Sequence, residues 1–260
     1  MPEILVSRDG AIATVALHNP ARLNALTVDM WRALKVEVDK LSADESLRCI
    51  VIRGSGRDAF AAGADIAEFA TARDNEAQGR VYHEEYVYGA LNAVGECRHP
   101  TIAMIHGPCV GGGLEIASQC DLRISGESGR FGVPINRLGF AIAYSELQAI
   151  LPVTGRAAAL EILVEGRVWN ADEALAKGLL TRVVSDDRLE EETHASAKRI
   201  AEGAPLVARW HKQFVRRLTP RAAPLGEDER RENFAYFRTE DYRIGYDAFL
   251  AKRKPKFVGR

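Results

Sequence analysis

The 260-residue sequence lacks an excess of charge of either sign: 35 Lys and Arg stand against 36 Asp and Glu. That balance gives no electrostatic footprint for nucleic acid or for a membrane surface. A local basic cluster could still meet a phosphorylated ligand. The four cysteines, Cys49, Cys97, Cys109 and Cys120, form no C-x-x-C pair. This excludes the common zinc and redox spacings and reads as reduced, mostly core thiols of a cytoplasmic protein. MPEILVSRDG has neither the basic start nor the apolar stretch of a secretory signal, and no apolar run approaches a membrane span. Low-complexity segments and short-period repeats are missing as well. At 47% hydrophobic residues, the chain can bury the core of one large domain, or of one domain with an appendage.

Two phosphate-binding signatures are absent where glycine is richest, in GPCVGGGLEIASQCDL from Gly107 to Leu122. There is no G-x-G-x-x-G, and no Lys followed by Ser or Thr after the last glycine. Consecutive glycines cost backbone entropy and need a reason. Before them, TIAMIHG reads as a buried strand; after them, LEIASQC reads as a short helix. The turn between them presents unpaired N–H groups at the positive end of a helix, with Glu115 in its first turn. That arrangement suits an oxyanion beside a carboxylate. A tight structural turn, with Glu115 favoured there by the helix dipole alone, explains the same residues.

Elsewhere, AIATVALH (11–18), CIVIRG (49–54) and LRIS (122–125) read as strands, and helical spacing runs from Val28 to Asp44 and from about Asn75 to Cys97. Asn170 and Glu173 form a capping box, Gly178 ends that helix, and LLTRVV is a further strand. Strands alternate with helices to about residue 185, which predicts an α/β core over 1–187, followed by a more charged helical region over 188–260. FAAGADIAEF (60–69) repeats the small-residue turn into a helix. Two such turns could aim two N–H donors at one oxygen.

With these stretches in view, the sequence resembles the crotonase (enoyl-CoA hydratase/isomerase) superfamily almost end to end. HNPARLNAL, AFAAGADI, IHGPCVGGGLEIASQCDLRI, GRVWNADEALAKGLLTRVV and AFLAKRKPKF follow in the family's order. The resemblance implies a spiral of ββα turns with a C-terminal helical trimerisation region, and so a homotrimer or a dimer of trimers. It implies an acyl-CoA thioester as ligand, with coenzyme A carried as part of the substrate and no separate cofactor or metal. The N–H groups of Ala64 and Gly112 would hold the thioester oxygen. Arg22, Ala62, Asp65 and Ile66 would lie along the coenzyme, and Phe249 and Lys252, on a neighbouring subunit's last helix, would close over its phosphates.

The family's hydratases use two glutamates. Glu115 matches the first. FGVPINRLG places Ile135 where the second belongs, and AIAYSE (141–146) replaces a Pro-Gly-rich turn. Glu115 could act alone, or Tyr144 could donate a proton or orient water, or line the pocket as an aromatic wall. Glu146 could turn inward, though a solvated residue in a first helical turn is expected there. Arg137 could meet an acidic acyl group, with a surface role the plainer expectation. His106 is expected to pack, and Tyr82, Tyr86 and Tyr88 could line the pocket or the core. An enoyl-CoA hydratase-like lyase with Glu115 as acid and base leads. Double-bond isomerisation, decarboxylation, thioester hydrolysis and simple acyl-CoA binding stand as alternatives.

Overall fold

The computed structural model describes residues 1–219 and 225–260, so residues 220–224 of the expected helical region lie outside the described residues. Among the described residues, nine strands form two sheets. β1 (Glu3–Asp9), β2 (Ile12–His18), β3 (Cys49–Gly54), β4 (Thr101–Ile105), β6 (Leu122–Gly126) and β9 (Arg182–Val184) make a six-stranded sheet in that order. Only the β1–β2 hairpin pairs antiparallel; the other neighbours run parallel. β5 (Pro108–Val110), β7 (Arg130–Gly132) and β8 (Val168–Asn170) make a second, mixed sheet. β4 and β5, then β6 and β7, each give one strand to each sheet before a helix follows, Gly112–Gln119 and Tyr144–Leu160 respectively. The sequence reads a strand passing straight into the glycine turn. The structure inserts β5 between them, because Gly107 (φ +56°) turns the chain and Cys109 then bridges Ala61.

The central strands are buried on both faces, as parallel sheets require. On β3, Ile50 and Ile52 join a large cluster with Trp31, Leu34 and Phe60. The alternate residues Cys49 and Val51 face the other way, against Leu189 and Ala197. The helix Leu189–Glu202 therefore covers that face of the sheet. Beyond it lie Pro205–Leu218 and, past the undescribed residues, Glu227–Asn233 and Glu240–Leu250. Phe234, Phe237 and Tyr242 from this last part form a third apolar cluster with Ala143.

Contrary to the expectation from the sequence, Tyr144–Glu165 is long and apolar enough to cross a membrane by length and composition. It is no continuous helix, because Gly155 breaks it at φ +74°, ψ +169°. Its first turn points a carboxylate into the protein interior.

Candidate active site

The glycine turn answers to three separate constraints. Gly111 adopts φ +52°, ψ −123°, a region closed to residues with a side chain. A Cβ on Gly112 would meet Trp31 Cζ2 at 2.7 Å, and one on Gly113 would meet the Ala61 carbonyl oxygen at 2.5 Å. The turn thus needs one glycine for its dihedrals and two for close packing. Opposite it, the 60–65 segment is strapped down by backbone bonds: Leu26 N–H donates to Gly63 O (2.8 Å), Asp65 N–H to Leu26 O (2.8 Å) and Val110 N–H to Ala61 O (3.0 Å). None of these uses the N–H of Ala64. That N–H and the N–H of Gly112, first in its helix, have no protein acceptor among the described residues. Both residues line one cavity of about 370 Å³.

Glu115 lines the same cavity, 4% exposed, with its N–H bonded to Gly111 O at 3.0 Å. So does Glu146, 5% exposed. The expectation of a solvated Glu146 is corrected by two partners. One carboxylate oxygen accepts from His83 Nδ1, and the other from the Ala143 N–H at 3.3 Å, the return half of a capping box. His83 Nε2 in turn lies 3.4 Å from Arg73 Nη1, so the ring stands between Glu146 and the guanidinium. His83 comes from a π-helical turn, Tyr82–Val87, and its ring packs on Phe234 at 5.8 Å between centroids.

The two carboxyls are pushed in opposite directions. Burial raises Glu115 well above the ordinary carboxylate value, and the negative charge of Glu146 adds to it. Burial alone would raise Glu146 too. The positive pole and hydrogen bond of His83, with the Arg73 charge, outweigh burial and hold Glu146 below its ordinary value. The two carboxyls that line the cavity are therefore set apart in acidity, Glu115 holding its proton more tightly than Glu146.

Of the residues expected along the coenzyme, Ala62, Ile66 and Phe249 line the cavity. Arg22 pairs with the buried Asp65 at 3.2 Å, and Asp65 also accepts from the Ala67 N–H at 3.0 Å to cap a 3-10 turn. Lys252 is exposed and lies away from the cavity wall. Phe249 borders the cavity of its own chain, since Glu240–Leu250 packs against the Pro134–Leu138 turn. Ile135 lines the cavity as an apolar wall.

Tyr144 does not reach the cavity. It starts the helix with its N–H on Asn233 Oδ1 (2.9 Å), and residues two apart on a helix point to opposite sides, so turning Glu146 inward turns Tyr144 away. Tyr82 lines the cavity and accepts from Trp31 Nε1 at 3.0 Å, with burial pushing its hydroxyl up to about 12. Tyr86 accepts from Arg32 at 2.7 Å, and Tyr88 is exposed. His106 is buried against the Asp186 carbonyl (3.3 Å), as expected of a packing residue. His83 and Arg73, which the sequence reading missed, carry no local signal: His83 sits within a run of helical spacing, and Arg73 stands beside Asp74 and Asn75 at a break between two short helices.

A family model described as enoyl-CoA hydratase/isomerase matches residues 7–260. The chain belongs to this family. A Rhizobium meliloti protein named "Probable enoyl-CoA hydratase" is 36% identical over 261 residues, covering 99% of this chain and 98% of its own. A solved enoyl-CoA hydratase/carnithine racemase from Magnetospirillum magneticum is 51% identical with a TM-score of 0.83, over 100% of this chain and 97% of the other. A methylmalonyl-CoA decarboxylase superposes with a TM-score of 0.87 at 28% identity, over 99% and 98% of the two chains. Like other members of the crotonase superfamily, the protein is an enzyme acting on acyl-CoA thioesters.

Proposed function

We propose that this member of the family is an enoyl-CoA hydratase in which Glu146 takes the part of the glutamate replaced by Ile135. The observation that carries the reading is the pair of buried carboxyls, Glu115 and Glu146, pushed apart in pKa on one cavity wall. Such separation assigns an acid and a base. The thioester oxygen accepts from the N–H groups of Ala64 and Gly112. Glu146 takes a proton from water as the hydroxyl adds to the β-carbon, and the electron pair moves onto the thioester oxygen as an enolate. Glu115 then delivers its proton to the α-carbon. A proton passing from Glu146 to Glu115 resets the pair, and the sum is one water added. Each oxyanion donor is worth ~10²–10³ in rate and each acid–base group ~10²–10⁴.

The coenzyme would run along Ala62 and Ile66, with Arg22 and Lys252 presenting charge to its phosphates and no further cofactor taking part. Four free, buried cysteines fit a reducing cytoplasm. An exposed stripe of Leu206, Trp210, Phe214 and Leu218 along Pro205–Leu218 supports assembly of several copies, read here as a trimer or a dimer of trimers. The test of the base is Glu146→Gln. Turnover of an enoyl-CoA should fall ~10²–10⁴-fold with thioester binding retained. Undiminished turnover would return the chemistry to Glu115 alone.

A further inference from the structure

Arg73 is a buried cation that forms no direct ion pair among the described residues, its charge reaching Glu146 only across His83. It is 6% exposed, and a charge taken out of water needs a counter-charge or hydrogen bonds. Its guanidinium carbon lies 3.5 Å from the ring centroid of Phe69, 4.6 Å from that of Tyr82 and 5.6 Å from that of Phe140. These rings hold the group in place while supplying no acceptor in the plane of its N–H bonds. Among the described residues its one hydrogen bond is the 3.4 Å contact from Nη1 to His83 Nε2. Among the described residues none of its nitrogens is both sealed in protein and partnerless, and Arg73 lines the cavity. The second arginine on that wall is differently placed: Arg137 is exposed and donates to the Gly166 carbonyl at 2.7 Å. The sequence offered Arg137 for an acidic acyl group; the structure puts the unsatisfied guanidinium at Arg73.

We infer that the acyl group accepted by this cavity ends in a carboxylate, which Arg73 binds. This rests on the reading of the cavity as the acyl site of a coenzyme A thioester. A planar fork of N–H donors fixed between aromatic rings matches a carboxylate in geometry and charge. An unsubstituted acyl chain of the same length would leave those donors unpaired in an apolar space. At about 370 Å³ the cavity is small, and Arg73 shares it with Gly112 and Glu115, so the acid is a short one. Glu146 does not compete for the cation directly, because His83 stands between them.

The test is calorimetric titration of the full-length protein with saturated thioesters that no hydratase can turn over. Succinyl-CoA is compared with butyryl-CoA, glutaryl-CoA with valeryl-CoA, and free coenzyme A is the control. The diacid thioesters should bind about tenfold or more tightly than their monoacid partners. Arg73→Met should abolish that preference and leave free coenzyme A unaffected, while Arg73→Lys should keep part of it. Equal or weaker binding of the diacid thioesters to the unaltered protein would overturn the inference, without need of any variant. So would Arg73→Met weakening free coenzyme A as much as the diacid thioesters, since Arg73 would then serve the coenzyme's phosphates. A diacid preference in a protein that hydrates nothing would uphold the inference and remove the hydration reading. Failure to bind any of the thioesters would remove both.

Discussion

At the scale of single residues, the site turns on how Glu115 and Glu146 divide one proton. Glu115→Gln should lower turnover ~10²–10⁴-fold while keeping thioester affinity, measured by steady-state kinetics beside calorimetry. The same substitution should stabilise the fold. Glu115 in the native state is held above 4.5, so its stabilising contribution is full below that pH and is lost as the pH rises toward the folded value. Gln carries no such loss, and the variant should melt higher than the parent at neutral pH, with the gap closing near pH 4.5. Glu146 has the opposite sign. Its depressed value gives stability above 4.5 that is lost as the pH falls through the folded value. Removing its partner by His83→Leu leaves a buried carboxylate with the Ala143 N–H but no cationic or side-chain partner in contact, and should cost about 3–5 kcal/mol in denaturant unfolding. Glu115 was legible in the sequence because three glycines announce its turn. Glu146 was not, since its first-turn position reads as solvated, and the His83 that bonds it, backed by Phe234, lies 63 residues away in the chain.

At the scale of elements, the glycine turn was legible as a strand-to-helix junction but not as three distinct constraints. Periodicity shows that a helix follows; it does not show that Trp31 and Ala61 press against the second and third glycines. Gly111→Ala separates dihedral strain from crowding, because the nearest atom to the new Cβ would be Gly63 Cα at an ordinary 3.6 Å. At φ +52°, ψ −123° the substitution should cost ~1–3 kcal/mol of stability. It should also lower kcat more than it raises KM, since it shifts the Gly112 N–H. Unfolding and kinetics on one preparation check both. The Tyr82–Val87 stretch was read from sequence as part of one long helix. The structure makes it a π-helical turn, and this turn carries His83, a position where such turns often serve a site.

At the scale of the whole molecule, alternation of strands and helices gave away the α/β core, and the family resemblance supplied what periodicity could not, the ββα order. What stayed hidden is long-range. The helix Leu189–Glu202 belongs to the sheet's second face, and Phe249 of the last helix borders its own chain's cavity. The exposed apolar stripe of Pro205–Leu218 should be where copies meet. Trp210→Glu with Phe214→Glu should turn an oligomer into a monomer in sedimentation velocity, and an unchanged sedimentation coefficient would place the interface elsewhere.

The most direct measurement of the central claim is turnover of crotonyl-CoA and of carboxylated enoyl-CoAs in ¹⁸O-labelled water, followed by loss of the conjugated thioester absorbance and by product mass. The account predicts a gain of one labelled water at the β-carbon, lost in both Glu115→Gln and Glu146→Gln. A shifted double bond, released carbon dioxide or free acid without added water, or hydration that survives Glu146→Gln, would contradict it.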